Sequence, residues 1–207
     1  MFVTISRQYA AGGSAVAQEV ARALGWDVVD NEFMDALADR SGYSREEVAE
    51  LDERVPTFLE RFAQSTALSF PEYLATTPGA LEEPGAEKLA RLTRELVEEL
   101  GRRDRMVMVG RAAAAVMGRD TGAIHARIVA SRPYRLQSAI QRLGADPAEA
   151  ESVLDDVDYK RDRYHRQYYD RDWNDPELYH MILNTEILGG PEAAARLVIA
   201  HARSLGW

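Results

Sequence analysis

The sequence predicts an α/β fold in three layers, with helices on both faces of a five-stranded parallel sheet. Three observations predict it. Short apolar runs alternate with amphipathic stretches from one end of the chain to the other. The apolar runs are continuous rather than alternating in polarity, as strands buried on both faces are. No internal repeat, low-complexity tract or linker divides the 207 residues, so they form one domain, 1–207.

The elements follow in order. Phe2-Val3-Thr4-Ile5-Ser6 is a β-branched run and reads as the first strand. A glycine-containing turn, Arg7 to Gly13, leads into a helix with Val16, Ala17, Val20, Ala21 and Leu24 on one face and Gly25 at its end. Trp26 to Asp30 is a second strand with an acid at its carboxyl end, and Asn31 to Arg40 is a helix closed by Ser41-Gly42. Ser44-Arg45-Glu46-Glu47 fits a capping box. Pro56, Pro71, Pro78 and Pro84 then punctuate a stretch rich in Phe and Tyr, which reads as an inserted helical lobe, about 42–101 in all, ending in an amphipathic helix from Ala86 to Leu100. Such a lobe is either an ordinary insertion packed by its own aromatics or a substrate cover. Met106–Val109 and Ala126–Ala130 are the third and fourth strands. Ser131 with Pro133, and Asp146 with Pro147 and Glu149, are helix starts, the second opening a helix that runs to about Tyr169. Met181–Asn184 is the fifth strand and Pro191 to Ser204 the last helix.

Composition excludes several functions. The formal charge is −9, from 25 basic and 34 acidic residues, a poor balance for a nucleic-acid binder. There is no cysteine, hence no disulfide scaffold, thiolate metal site or cysteine nucleophile, which permits a cytoplasmic location. No apolar run approaches the ~20 residues that cross a bilayer. His125, His165, His180 and His201 are scattered, without metal-ligand spacing. The basic residues are 23 arginines and two lysines, Lys88 and Lys160, so the first 87 residues contain no lysine.

In an open α/β sheet, ligands bind beyond the carboxyl ends of the strands. The first strand ends in Arg7-Gln8-Tyr9-Ala10-Ala11-Gly12-Gly13-Ser14, directly before a helix. Backbone N–H groups at such a helix start can cradle an anion. Against the phosphate-loop pattern G-x-x-x-x-G-K-[ST], Gly12 and Ser14 match, while Arg7 and Gly13 stand at the first glycine and the lysine. A plain tight turn is the other reading. With no lysine nearby, the cation for a phosphate must be an arginine, and Arg7 is the local one. Asp30 and Arg111 close the second and third strands and suit an acceptor carrying a phosphate, though each alone is equally an ordinary ion pair. The densest signal is Asp158 to Tyr169: on a helix, Arg161, His165 and Tyr168 share one face, and Lys160, Arg163 and Tyr164 another. It reads either as a solvated, salt-bridged helix or as a lid that brings arginines to a polyphosphate.

Five segments in order resemble the cytidylate kinase-like family of P-loop kinases: Thr4-Ile5-Ser6-Arg7-Gln8-Tyr9 with Gly12-Gly13; Asp30 with Asn31-Glu32-Phe33-Met34; Val109-Gly110-Arg111; Asp158-Tyr159-Lys160-Arg161 with Tyr164, Tyr168 and Trp173; and Tyr179 with Ile182-Leu183-Asn184-Thr185. The resemblance implies a P-loop NTPase fold, an inserted substrate lobe, an arginine lid over about 147–175, and an ATP- and Mg2+-dependent kinase whose leading acceptor is CMP or dCMP. It implies that Arg7, Gly12, Gly13 and Ser14 bind ATP, with Ser14 also a metal ligand. Asp30, Arg111 and Asp158 would contact the acceptor, and Lys160, Arg161 and Arg163 would be the catalytic cations. Two positions depart from the family pattern: Ser14, where a charged residue is common, and His180, where an acid is usual. The expected partners are nucleotide substrates, with no stable nucleic acid and no membrane, and a homo-oligomer is left open. A kinase for another small acceptor, and a nucleotide-binding scaffold without catalysis, are the alternatives.

Overall fold

The computed structural model describes residues 1–29, 31–42, 84–119 and 122–207. Asp30, the helix expected from Ser44 and most of the inserted lobe lie outside the described residues. Five parallel strands, β1 (Phe2–Arg7), β2 (Asp27–Val29), β3 (Met106–Val109), β4 (Ala123–Val129) and β5 (Met181–Asn184), stand in the order β2-β3-β1-β4-β5. The chain leaves β1 for β2 and β3 on one side, then crosses to β4 and β5 on the other. The carboxyl end of β1 is therefore the switch point of the sheet, where such folds hold ligands.

The helices are α1 (Gly13–Leu24), α2 (Asn31–Ser41), α3 (Pro84–Gly101), α4 (Ala113–Met117), α5 (Arg132–Leu143), α6 (Pro147–Tyr169), α7 (Thr185–Leu188) and α8 (Pro191–Ser204). The start signals act as read. Ser131 accepts the Tyr134 N–H at α5, and Asp146 accepts the N–H groups of Ala148 and Glu149 at α6, each satisfying donors that a helix start leaves over. Several features differ from expectation, among them α7, a four-residue helix capped by the Asn184 side chain that the sequence did not predict. β4 begins at Ala123 rather than Ala126: it pairs with β1 from Phe2↔Ala123 onward, and His125 is accommodated inside it by its bond to the Thr4 hydroxyl of β1. α4 was not expected, since five residues of mostly alanine are too short to show a period.

Paired residues in parallel strands share a face, so the registers Thr4↔His125 and Ser6↔Arg127 define one side of the sheet. The opposite side is apolar up to Arg7, which ends β1 on the side of Val3 and Ile5. Val3, Ile5, Val107, Val109, Ile124, Ala126, Ile128 and Leu183 meet Val16, Ala17 and Val20 of α1 and Ala195, Val198 and Ala202 of α8. Each large side chain buried there contributes about 1.5–3 kcal/mol. Trp207, beyond α8, packs against Trp26 with ring centroids 5.6 Å apart.

The first side changes along its length. At the amino ends of the strands, Phe2, Met106 and Met108 pack with Phe33 and Leu37 of α2 and Leu92, Leu96 and Leu100 of α3. Toward the carboxyl ends come Thr4, Ser6, His125 and Arg127, all buried. α6 makes the matching change along one stripe. Ala150, Leu154 and Val157 join the cluster with Tyr9, Ala10 and Ala139, and Lys160, Arg161, Tyr164 and His165 continue the stripe in polar residues, still buried. Among the described residues, no helix is long and apolar enough to cross a membrane.

Candidate active site

The segment from Arg7 to Gly13 is held at almost every residue. The Gln8 N–H bonds the Ile128 carbonyl at 3.0 Å, and the Ala11 N–H returns to the Gln8 carbonyl at 3.3 Å. Arg161 Nη1 donates to the Arg7 carbonyl (3.0 Å), Asp158 Oδ1 accepts the Tyr9 N–H (2.8 Å), and Arg135 Nη1 reaches the Tyr9 carbonyl (3.3 Å). The Thr185 hydroxyl, at the start of α7, donates to the Ala11 carbonyl at 2.9 Å. These bonds turn the loop's carbonyls toward the protein and fix the approach to α1.

α1 itself starts without a side-chain cap. Gly12 is in the left-handed region (φ 86°), and a Cβ there would stand 2.6 Å from Pro191 Cγ; a Cβ on Gly13 would stand 2.5 Å from Arg7 Cβ. Both glycines are thus required by the close approach of Pro191 and Arg7, and the first N–H groups of α1 have no side-chain cap. The geometry is that of an anion cradle. Strain gathers beside it. Ala10 (φ 58°), Arg111 (φ 58°) and Ala112 (φ 49°) occupy the left-handed region, at the ends of β1 and β3. Such backbone persists only where its surroundings hold it, and it clusters at functional sites.

The sequence-derived residues divide by where the fold puts them. Arg7, Gly12, Gly13 and Ser14 are together, with Ser14 half-buried in the first turn of α1. Arg161 reaches them and is 3% exposed. Lys160 is also buried, its Nζ 2.6 Å from Asp156 Oδ2 within α6. Arg163 is on the outer side of α6, its guanidinium 6.0 Å from the exposed Tyr159 ring, and is not brought to the loop. Asp158, expected at the acceptor, instead has both oxygens engaged by the loop side of the fold: Oδ1 on the Tyr9 N–H and Oδ2 on Arg135 Nη1 at 2.5 Å. Arg111 is buried at the end of β3 with its guanidinium 5.0 Å over the Phe33 ring. Asp30 is outside the described residues.

Under the loop lies a polar layer that the sequence reading did not assemble. Arg127, 2% exposed, stacks on Trp173 at 4.1 Å and donates to the Trp173 carbonyl (2.5 Å), Asn174 Oδ1 (2.7 Å) and the Tyr179 hydroxyl (3.2 Å). Its partners are all neutral, so its charge is not cancelled by a contacting carboxylate. Ser6 Oγ accepts from Trp173 Nε1 at 3.0 Å and lies 3.3 Å from the Tyr179 hydroxyl, which donates to the Trp173 carbonyl at 2.9 Å. The Gly118 carbonyl, 2.9 Å away, fixes the His125 proton on Nε2, leaving Nδ1 to accept from the Thr4 hydroxyl at 2.7 Å. Burial lowers the His125 pKa, the Gly118 bond opposes this, and nearby His180 adds to the lowering. His165 donates from Nδ1 to the Arg161 carbonyl at 2.8 Å. Burial pushes the Tyr9 hydroxyl up to about 12 against the pull of Arg142 and Arg161, so it stays protonated. A cavity of about 10 Å³, the room of one water molecule, lies among Ser6, Arg7, Gly110, Arg161, His165 and Trp173. The signal for Arg127 was in the sequence: a charged residue inside an apolar strand run must be bonded there.

Comparison with known proteins places this arrangement. No curated protein matches the sequence. Among solved structures, an uncharacterized protein from Eubacterium ventriosum aligns with a TM-score of 0.66 at 17% identity, covering 99% of each chain. The shikimate kinase of Bacteroides thetaiotaomicron aligns at 0.51 and 14% identity over 98% of each chain. That of Acinetobacter baumannii, in complex with shikimate, aligns at 0.50 and 15% identity over 98% of this chain and 93% of its own. At these identities the likeness is one of fold, that of the P-loop kinases. The family model of the cytidylate kinase-like family spans residues 2–187, including the glycine loop, the β3 end and all of α6, and the chain belongs to that family.

Proposed function

We propose that the protein is an ATP-dependent phosphotransferase that moves the γ-phosphoryl group of ATP to a small phosphorylated acceptor, with CMP or dCMP the leading candidate. One observation carries the reading: an uncapped, glycine-walled helix start, pinned by side chains from α5, α6 and α7, with Arg7 and Arg161 buried beside it. A transferring phosphoryl group spreads negative charge over its oxygens, so its catalysis is positioning and charge neutralisation. A loop already held in place binds a triphosphate without first being ordered.

The residues fit the cosubstrate. Gly12, Gly13 and Ser14 present the cradle to the donor phosphates, with Arg7 next to it. Among the described residues, no group of three His, Cys, Asp or Glu forms a metal site. The Ser14 hydroxyl would be the protein ligand of a magnesium ion held mainly by substrate phosphates and water. Held there, magnesium would supply neutralisation of the charge that develops in transfer. Arg111, buried at the β3 end beside α2, would grip the acceptor's phosphate, and Asp30 would contact the acceptor. The acceptor oxygen attacks the γ-phosphorus as the bond to the β,γ-bridging oxygen breaks, ADP leaves with that bond's electrons, and no covalent enzyme intermediate forms. Arg161 stabilises the charge in transfer by way of the loop it holds, Lys160 stays paired with Asp156 within α6, and Asp158 keeps Tyr9 and Arg135 in register with the loop.

The test is ADP formation from Mg-ATP with a panel of nucleoside monophosphates, plus shikimate as a hydroxyl acceptor, prompted by the fold likeness. Turnover confined to a pyrimidine monophosphate supports the reading. Turnover with shikimate alone moves the acceptor to the other kinase class. ATP binding without turnover on any acceptor would identify a nucleotide-binding scaffold.

A further inference from the structure

No step of the proposed transfer uses Arg127. It stands inside the sheet, in β4, paired with Ser6 of β1 on one hand and Ile182 of β5 on the other. The hydrogen bonds of its side chain all go to one short segment. α6 ends at Tyr169, Asp170 turns the chain in the left-handed region (φ 50°), and residues 170–180 return to the sheet as a strap that leads into β5. Arg127 grips that strap at two places. Nη1 donates to the Trp173 carbonyl and the Tyr179 hydroxyl, and Nη2 donates to Asn174 Oδ1. The guanidinium also lies over the Trp173 and Tyr179 rings, 4.1 and 5.5 Å from their centroids.

Stability alone does not call for an arginine here. A buried charge whose bonded partners are all neutral is costly to desolvate, and an apolar side chain would fill the place without that penalty. What the guanidinium supplies is definition: its planar fork satisfies these acceptors in one arrangement and so fixes where Trp173 sits. Trp173 in turn meets the loop by two routes. Its Nε1 donates to Ser6 Oγ at 3.0 Å, and Ser6 is the residue before Arg7. Its ring lies 6.2 Å from that of His165, which bonds the Arg161 carbonyl at 2.8 Å, and Arg161 Nη1 holds the Arg7 carbonyl at 3.0 Å. Ser6, Arg7, Arg161, His165 and Trp173 all line the one-water cavity, so both routes close on the same point.

We propose that Arg127 is a positioning residue for phosphoryl transfer: by clamping Trp173 it sets, from within the sheet, both supports of the first loop residue. It touches neither substrate. The inference rests on the kinase reading above and adds to it the residue that fixes the geometry of the loop.

Calorimetric binding of AMP-PNP with Mg2+, together with kcat and the KM for Mg-ATP in ADP formation, tests this at a temperature where melting curves show every variant folded. Ile5→Ala, destabilised on the apolar side, is the control. Arg127→Met keeps the stem and loses the fork. It should bind AMP-PNP roughly tenfold or more weakly, raise the KM for Mg-ATP in step, and lower kcat on the order of 10²-fold, while Ile5→Ala stays near wild type in all three. Arg127→Lys keeps the charge without the fork and should recover at most part of these losses. Because Arg127 acts through Trp173, the losses from Trp173→Phe and Arg127→Met should overlap in the double variant rather than multiply. Losses that multiply, full recovery in Arg127→Lys, or an Arg127→Met protein that matches Ile5→Ala would each overturn the proposal. Should these variants not fold, Tyr179→Phe decides alone: AMP-PNP affinity lower by roughly threefold or more supports the clamp, and wild-type affinity overturns it. Where the wild type binds without turnover, the binding losses decide. If the wild type neither binds AMP-PNP nor forms ADP, the kinase reading falls and this inference with it. If the wild type does both and Arg127→Met equals it, only the inference falls.

Discussion

The two faces of the sheet are built from the same strands and are equally dry, yet they are made of different chemistry. On the α1 and α8 side, Val3, Ile5, Ile124, Ala126 and Ile128 interlock with apolar helix stripes. On the α6 side, Thr4, Ser6, His125 and Arg127 are just as buried but bonded side chain to side chain or to backbone. Burying an apolar group is favourable in itself, whereas burying a polar one contributes only modestly when it is fully bonded and is costly when a bond is missing. The apolar face is therefore where the fold gains stability. The polar side gains position instead, for Ser6 and Arg127 fix Trp173, and from α6 Arg161 and Asp158 fix Arg7 and Tyr9 of the loop that would hold a triphosphate. The difference is between a side that holds the molecule together and a side that tells it where to put its charges.

Substitutions on the two faces should therefore fail differently. The largest expected effect is on the polar side: Arg161→Ala, which frees the Arg7 carbonyl and misplaces the loop, should cut ADP formation on the order of 10²-fold, read as initial rate at saturating Mg-ATP. A loss of less than tenfold would detach α6 from the chemistry. Next comes the apolar side. Ile5→Ala, at a site with no exposure, should cost about 2–5 kcal/mol of unfolding free energy in urea while turnover at low temperature stays near wild type. A large loss of kcat in the folded variant would erase the distinction between the faces. Ser6→Ala should cost about 1–3 kcal/mol, because it leaves Trp173 Nε1 without an acceptor. An unchanged denaturation midpoint would mean that the layer is not a cooperative network.

The smallest effect is one of pH. His125 is held below its ordinary value of 6.5, first by burial. Well above that value both folded and unfolded states are neutral there, and stability is full. As the pH falls through it, the unfolded chain takes up a proton that the folded one resists, so stability declines. The melting temperature should drop on going from neutral to mildly acid solution, and His125→Gln should flatten the drop. A wild-type melting temperature that stays level would contradict the lowered pKa.

The element pattern was largely legible in the sequence. Strands and caps are local: Ser131, Asp146 and the glycine before α1 announce themselves within a few residues. The site was legible in part, since Arg7, Gly12, Gly13, Ser14 and Arg161 do meet. Asp158 shows why the rest was not. Helical spacing tells which face a carboxylate shares, but its partners, the Tyr9 N–H and Arg135, are 149 and 23 residues away. Arg163 fails for the complementary reason: two positions from Arg161, it points to the other side of the helix. Arg127 was hidden inside a run that otherwise reads as core, and only the fold shows that Trp173 and Tyr179 cover it.

Trp173 also gives the molecule an optical reporter of its own. Its indole is bonded to Ser6, one residue before the loop begins, while Trp26 and Trp207 pack on each other, half-buried, at the edge of the apolar cluster on the α1 and α8 side. Emission from the first should shift as the loop is occupied, against a steady background from the other two, so ligand titrations can be followed in the unlabelled protein.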